Sequence, residues 1–171
     1  MDERMGNALT MDNADAIREK IVAMEREALD RWGSGDPGGF LEINDPDVSY
    51  FDPFQEKRLD GLDRLTALLE SIRGKIKIER SEMVNPRVQV GGDAAILTFQ
   101  FVSEGSEGQK CWNSTEVYRR TGEQWRIIHS HWSFAYAGLV RGLWKETPPV
   151  TCAETSPARQ ARVPSPLFEP H

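Results

Sequence analysis

Three short pieces of the chain carry residues whose types and spacing could do chemistry together. They are Tyr50-Phe51-Asp52-Pro53-Phe54, Thr115-Glu116-Val117-Tyr118, and the tryptophan-rich run from Trp125 to Ser133. The first sets a carboxylate among aromatic residues. The second sets a carboxylate in mid-strand between apolar neighbours. The third follows the second after a tight turn. Two acids on apolar supports suit general acid/base chemistry, because burial raises a carboxyl pKa toward neutrality.

The elements that must position these pieces can be read from hydrophobic period. Ile17, Ile21, Met24, Ala28 and Trp32 form one apolar stripe, so the pattern predicts a helix from Asp12 to Gly33. Gly33, Gly35 and Pro37 stop it. A short helix over about Pro37 to Ile43 and a strand over Val48 to Phe51 follow, divided by Asp45-Pro46. Leu62, Leu65, Leu69 and Ile72 give a third amphipathic helix ending near Gly74. Beyond Gly74 the period changes to two. Lys75 to Val84 reads as a strand that Asn85-Pro86 ends, since proline donates no ladder bond. Arg87 to Val90 and Ala94 to Val102 form a hairpin about Gly91-Gly92-Asp93. Ser103 to Gly108 reads as a loop. Lys110 to Arg120 and Gln124 to Phe134 form a second hairpin about Thr121-Gly122-Glu123. Helices followed by strands signal an α+β fold. The expected form is a curved antiparallel sheet wrapped around the long N-terminal helix, a cone-shaped α+β barrel with an internal pocket. Residues 1–11 are expected to be a flexible N-terminus, 12–146 the domain, and 147–171 a Pro-rich tail without period.

Composition narrows the class. With 171 residues and a formal net charge of −6, the chain has room for one cored domain and no basic surface suited to nucleic acid. No apolar run reaches the roughly 20 residues of a membrane span. Cys111 and Cys152 make neither a metal pattern nor a disulfide framework, and the first residues lack a secretory apolar run. A cytoplasmic location is therefore expected.

Strand parity assigns faces. Ala95, Leu97, Phe99 and Phe101 share an apolar, hence concave, face. Trp112, Ser114, Glu116 and Tyr118 share another. On the last strand the sets are Ile128, Ser130, Trp132, Phe134 and Trp125, Ile127, His129, His131. Parity does not choose between these two.

The segment from about Ala14 to Phe134 resembles the nuclear transport factor 2-like superfamily, which includes ketosteroid isomerases, SnoaL-like cyclases and kinase association domains. Asp52 follows Gly35-Asp36 at the spacing that separates a Gly-Asp pair from the catalytic base in bacterial ketosteroid isomerases. Glu116 falls in the strand that looks like the one bearing their second acid, and Trp132-Ser133 looks like their pocket tryptophan. The resemblance thus selects the set with Trp132 for the concave face. It implies a pocket for a small apolar ligand, with Asp52 and Glu116 as the acid pair. Trp32, Phe54, Leu97, Phe99, Tyr118, Ser130 and Trp132 are then the substrate contacts. It implies no metal and no cofactor. The positions of family tyrosines that donate to the substrate oxygen hold Ala28, Asn44 and Leu69. The kinase association domains are similar through Tyr50-Phe51-Asp52-Pro53 and the His129-Ser130-His131 strand. Their pocket arginines correspond to Leu97, Glu116 and Trp132.

Each candidate has a plainer reading. Asp52 before a proline can be a turn residue bonded to nearby backbone. Glu116 could instead form an outer-face salt bridge to Arg126. His129 and His131 could sit at an interface, as no third metal ligand is evident. The expected function is a cofactor-free acid/base isomerase, cyclase or dehydratase acting on an apolar carbonyl compound. The alternative is a non-catalytic ligand-binding or dimerisation domain. A homodimer through an outer face bearing Trp125, Ile127, His129 and His131 is expected.

Overall fold

The computed structural model of the chain describes the backbone of residues 3–135 and side chains from residue 13 onward. The expected tail over 147–171 and the last part of the expected domain lie outside the described residues.

Helix α1 (Glu3–Gly33) starts earlier than the apolar stripe suggests. Its buried centre is Ile21, Glu25, Ala28 and Leu29. Helix α2 (Gly38–Ile43) and strand β1 (Asn44–Phe51) follow without a break, so Asp45-Pro46 lies inside β1 rather than ahead of it. A two-residue strand β2 (Leu59–Asp60) leads into α3 (Leu62–Ser71). The remaining strands are β3 (Arg80–Gly91), β4 (Ala94–Gly105), β5 (Gly108–Thr121) and β6 (Gln124–Phe134). They form one curved, open sheet in the order β2-β1-β6-β5-β4-β3. From β3 to β6 every pairing is antiparallel, while β1 joins β6 in parallel. The core lies on the concave face. Leu97, Phe99 and Phe101 of β4, Tyr118 of β5 and Ile127 of β6 pack there with Ile21 and Leu29 of α1 and Leu65 and Leu69 of α3. The α+β class and the wrapped antiparallel sheet match the expectation.

Three local departures matter. Residues 75–79 are irregular, and the strand expected from Lys75 starts at Arg80. Asn85-Pro86 does not end that strand. The register shifts between Val84 and Arg87, and Asn85 adopts a φ of 49°. This is a bulge, which absorbs the missing proline donor and lets the ladder resume. In β6, Val117 pairs His129 while Tyr118 pairs Ile127, leaving Ile128 as an extra residue. A one-residue insertion reverses which side chains face inward. Neither parity set therefore holds along the whole strand. Trp125 and Ile127 are buried before the bulge, and Ser130 and Trp132 face inward after it. The outer-face aromatic patch expected from Trp125 and Ile127 does not exist.

The junction after α1 sets the roof of the concave side. Gly35 has a φ of 85°, and its carbonyl accepts the Gly74 N–H at 2.8 Å. Ile78 N–H donates to the Gly33 carbonyl at 2.9 Å, so the segment from Ile72 to Ile78 is strapped along the end of α1. Asp36 adds side-chain ties to Arg31 at 2.7 Å and Arg73 at 2.6 Å, and accepts the Gly38 N–H at 2.8 Å. A Cβ at Gly35 would stand 3.0 Å from both the Gly74 Cα and the Ile76 carbonyl oxygen, backbone atoms that cannot swing away. Gly35→Ala is expected to destabilise the domain by about 2 kcal/mol, measured as a lower urea midpoint with unchanged slope. An unchanged midpoint would show that this junction does not hold the strap.

Candidate functional site

The pairings of β1, β6, β5 and β4 place a row of residues side by side on the concave face. Tyr50 lies opposite Ser130, Ser130 opposite Glu116, and Glu116 opposite Leu97. Parallel addition of β1 to β6 therefore delivers the Tyr50-Phe51-Asp52 end beside the tryptophan strand.

Asp52 stands just past β1 and is half-buried. Its Oδ2 accepts the Tyr50 hydroxyl at 2.9 Å, and its Oδ1 accepts the Phe54 N–H at 2.6 Å. The turn role is thus real, and it coexists with exposure to a cavity. A carboxylate has about four acceptor sites, so two bonds leave capacity for a ligand. Burial and the Asp52 charge hold the Tyr50 hydroxyl well above its ordinary value, so it remains a neutral donor.

The cavity has a volume of about 680 Å3, within the range typical of small-molecule sites. Trp32, Phe54, Trp112 and Trp132 give it aromatic walls, and its polar lining includes Asp52, Tyr50, Asn44 and Ser130 together with Lys75, Lys77, Glu104, Glu107 and Lys110. Leu65 and Leu69 of α3 and the strap from Ile72 to Ile78 close its other side. The aromatic wall is tied together by edge contacts. Trp132 meets Phe99 at 5.6 Å, Phe101 at 6.2 Å and Trp112 at 6.4 Å between ring centres. Such contacts add about 1 kcal/mol each beyond burial and hold the rings in place. Phe54 sits at the mouth, 70 % exposed, edge-on to Trp112.

Of the residues singled out by sequence, Asp52, Trp32, Phe54, Ser130 and Trp132 line this cavity. Glu116, Leu97, Phe99 and Tyr118 lie behind its wall in the core. Phe99 supports Trp132 rather than reaching the ligand space. Tyr118 is turned toward α1, and Leu97 is covered completely.

Glu116 is fully buried on the concave face, not in an outer salt bridge; Arg126 instead bonds the Glu42 and Asn44 carbonyls. Its Oε1 lies 3.0 Å from both Ser114 Oγ and Ser130 Oγ, while its Oε2 has no hydrogen-bond partner. Burial, and next the charge of Glu25, push the Glu116 carboxyl well above the usual carboxylate range, against the hydroxyls of Ser130 and Ser114 and the nearby indole of Trp132. Glu25 of α1 is the functional candidate that sequence reasoning missed. It too is fully buried, and burial raises it to about 7, opposed by the Tyr118 hydroxyl, which donates to Oε2 at 2.6 Å. A signal was present. Glu25 falls between Ile21 and Ala28 or Leu29 on the helix face that the apolar stripe marks as inward.

His129 and His131 lie on the opposite face of β6. The Phe51 ring packs against both, at 5.9 Å and 5.5 Å, and Ser49 Oγ is 2.9 Å from His129 Nδ1. Among the described residues no cluster of three or more His, Cys, Asp or Glu side chains is spaced for a metal ion.

This geometry has relatives. Residues 23–137 match the model of the SnoaL-like domain. A 1.45 Å structure from Parabacteroides distasonis, with an inferred ketosteroid isomerase assignment, superimposes with a TM-score of 0.63. The two are 41 % identical, over 69 % of this chain and 87 % of that one. The association domain of the calcium/calmodulin-dependent kinase II of C. elegans superimposes with a TM-score of 0.60 at 20 % identity, over 71 % of this chain and 98 % of that one, a likeness of fold. The alpha chain of the Drosophila melanogaster kinase is 26 % identical over 126 residues, 69 % of this chain. This chain spans only 24 % of that relative's length. A concave sheet on a long helix, the cavity it encloses and the match over most of the folded part agree: the chain belongs to the SnoaL-like domain family.

Proposed function

We propose that the domain binds a small, flat, largely apolar carbonyl compound in the cavity and moves a proton on it, as an isomerase, cyclase or dehydratase would. The observation that carries this reading is a carboxylate, Asp52, in an aromatic-walled cavity, one strand away from a serine bonded to a buried acid. Asp52 takes the proton from carbon next to the carbonyl, using the acceptor sites that Tyr50 and Phe54 leave open. The Tyr50 and Phe54 donors stabilise the carboxylate and aim it, which is the positioning that proton transfer requires. The negative charge that then develops on the carbonyl oxygen falls toward Ser130. Behind Ser130 stands Glu116, in its acid form. A neutral acid at that place answers growing negative charge, where an ionised one would repel it. The similar Parabacteroides protein, with its inferred ketosteroid isomerase assignment, supports this class of chemistry.

A second reading follows from the kinase association domains, which share the fold. The outer face carries exposed Phe51 and Ile96, with the Phe51 ring packed against His129 and His131. Self-association there gives a homodimer and is compatible with a working cavity. Light scattering then reads about twice the 19.4 kDa chain mass at micromolar concentration; a value near one chain mass contradicts it.

The proton-transfer reading is tested with 2-tetralone, a flat apolar ketone with exchangeable protons beside its carbonyl. In heavy water the full chain is expected to speed loss of those proton signals. Asp52→Asn is expected to slow it by at least about 100-fold, the usual worth of a placed base, with retained ketone binding. Exchange no faster with the native chain than with Asp52→Asn removes the catalytic reading.

The buried acids also predict a pH dependence of stability. Glu25 has a folded-state pKa of about 7 against an ordinary 4.5, so between those values the folded chain holds a proton that the unfolded chain releases. The stability this adds is complete below about pH 4.5 and is lost as pH rises to about 7. Across that window the melting temperature of the native chain is expected to fall relative to that of Glu25→Gln. Parallel curves for the two proteins would contradict it.

A further inference from the structure

Glu25 and Glu116 occupy one buried layer between α1 and β5, and neither is exposed at all. The groups that face them are Tyr118 and Ser114 of β5, Ser130 and Trp132 of β6, and Tyr50 of β1 with Asp52 beyond it. Among the described residues none of these is cationic, and no Lys, Arg or His pairs with either carboxyl. Each carboxyl also keeps one buried oxygen without a partner, Oε1 of Glu25 and Oε2 of Glu116. Two anions in such a layer would repel each other without compensation, so at neutral pH the pair retains a proton.

The contacts decide which member carries it. Tyr118 donates to Glu25 at 2.6 Å, the short distance of a bond to an ionised acceptor. The serine contacts to Glu116 are 3.0 Å, and a serine hydroxyl can turn to donate or to accept. Of the two, Glu25 is the member that ionises first, from about pH 7, while Glu116 keeps its proton. Ser130 lines the cavity as well as touching Glu116. Beside an ionised Glu116 its hydrogen would point inward, leaving only lone pairs for a ligand. Beside an acidic Glu116 it can accept from the acid and point its own hydrogen into the cavity.

We propose that Glu25 is a positioning residue of this site: by taking the charge of the buried pair it keeps the proton on Glu116 and turns the Ser130 hydroxyl into a donor for a ligand oxygen. The cavity then selects carbonyl-bearing molecules over equally flat hydrocarbons. The ligand part of this statement rests on the carbonyl-binding reading above; the role of Glu25 does not, and the two are tested separately.

The first test uses no ligand. The full chain is labelled with 13C at the glutamate side-chain carboxyls, the Glu116 signal is identified by its loss in Glu116→Gln, and its shift is followed with pH. Glu116 is expected to be an acid at pH 7. Its titration midpoint is expected to fall by about one pH unit or more in Glu25→Gln, the size of one like-charge neighbour, and to fall also in Tyr118→Phe, which releases Glu25. An ionised Glu116 at pH 7, or the same midpoint in both variants, overturns the proposal. If Glu25→Gln does not fold, Tyr118→Phe decides.

The second test compares 9-fluorenone with fluorene, which differ by the carbonyl. The native chain is expected to prefer fluorenone, and Glu25→Gln and Ser130→Ala each to lose about tenfold of that preference, one hydrogen bond, with fluorene affinity unchanged. A preference untouched in Ser130→Ala overturns the donor role of the serine. Binding of neither probe instead defeats the cavity reading, and the carboxyl titration still decides Glu25.

Discussion

The concave side of this protein is organised around the burial of two carboxyl groups between α1 and the sheet. Removing an ionised carboxylate from water costs several kcal/mol unless it is neutralised or bonded. The Tyr118 hydroxyl bonds Glu25, the Ser114 and Ser130 hydroxyls bond Glu116, and burial pushes both carboxyls toward their acid forms. An apolar core could fill the same space with leucines at less cost. The polar pair instead fixes how α1 lies across β5 and provides an acid one serine away from open cavity. The surrounding Ile21, Leu97 and Ile127 keep water from the layer, and that exclusion is what raises both groups.

Backbone irregularities bring the chemistry to the surface of that layer. Without the extra residue Ile128, the inward position of β6 beside Glu116 would not be Ser130 and the wall would lack Trp132. Without the parallel pairing of β1, Asp52 would not stand beside that wall. The strap from Ile72 to Ile78, held against Gly33 and Gly35, supplies the last side of the cavity. Bulges next to functional sites commonly re-aim side chains in this way. Here one bulge separates a core half of the strand, with Trp125 and Ile127, from a cavity half.

Much of this was legible in the sequence, and the gaps have physical causes. The change of period near Gly74 located the sheet, and alternation in Ala95 to Phe101 identified the concave face, because parity holds along an uninterrupted strand. It failed in β6 because an inserted residue leaves no mark in a list of alternating types. Proline in Asn85-Pro86 looked like an end, but a positive-φ asparagine next to it makes a bulge instead. Glu25 leaves little mark in the sequence because one charged residue on an apolar stripe does not alter the helical period. The carboxylate of Asp52 was legible as a turn residue and as a cavity group, and it is both. The supporting roles of Leu97, Phe99 and Tyr118 were not legible, since an inward face does not distinguish the cavity wall from the layer behind it.

The central claim is that the cavity ends on a serine donor set by the buried acids, with Asp52 at its side. A crystal of the chain soaked with 9-fluorenone tests it most directly. The account predicts the flat ring system between Trp132 and the α3 side, with the carbonyl oxygen within hydrogen-bonding distance of Ser130 Oγ. A carbonyl turned outward to the exposed Lys75 and Lys77 at the rim, or a ligand bound outside the cavity, would contradict it.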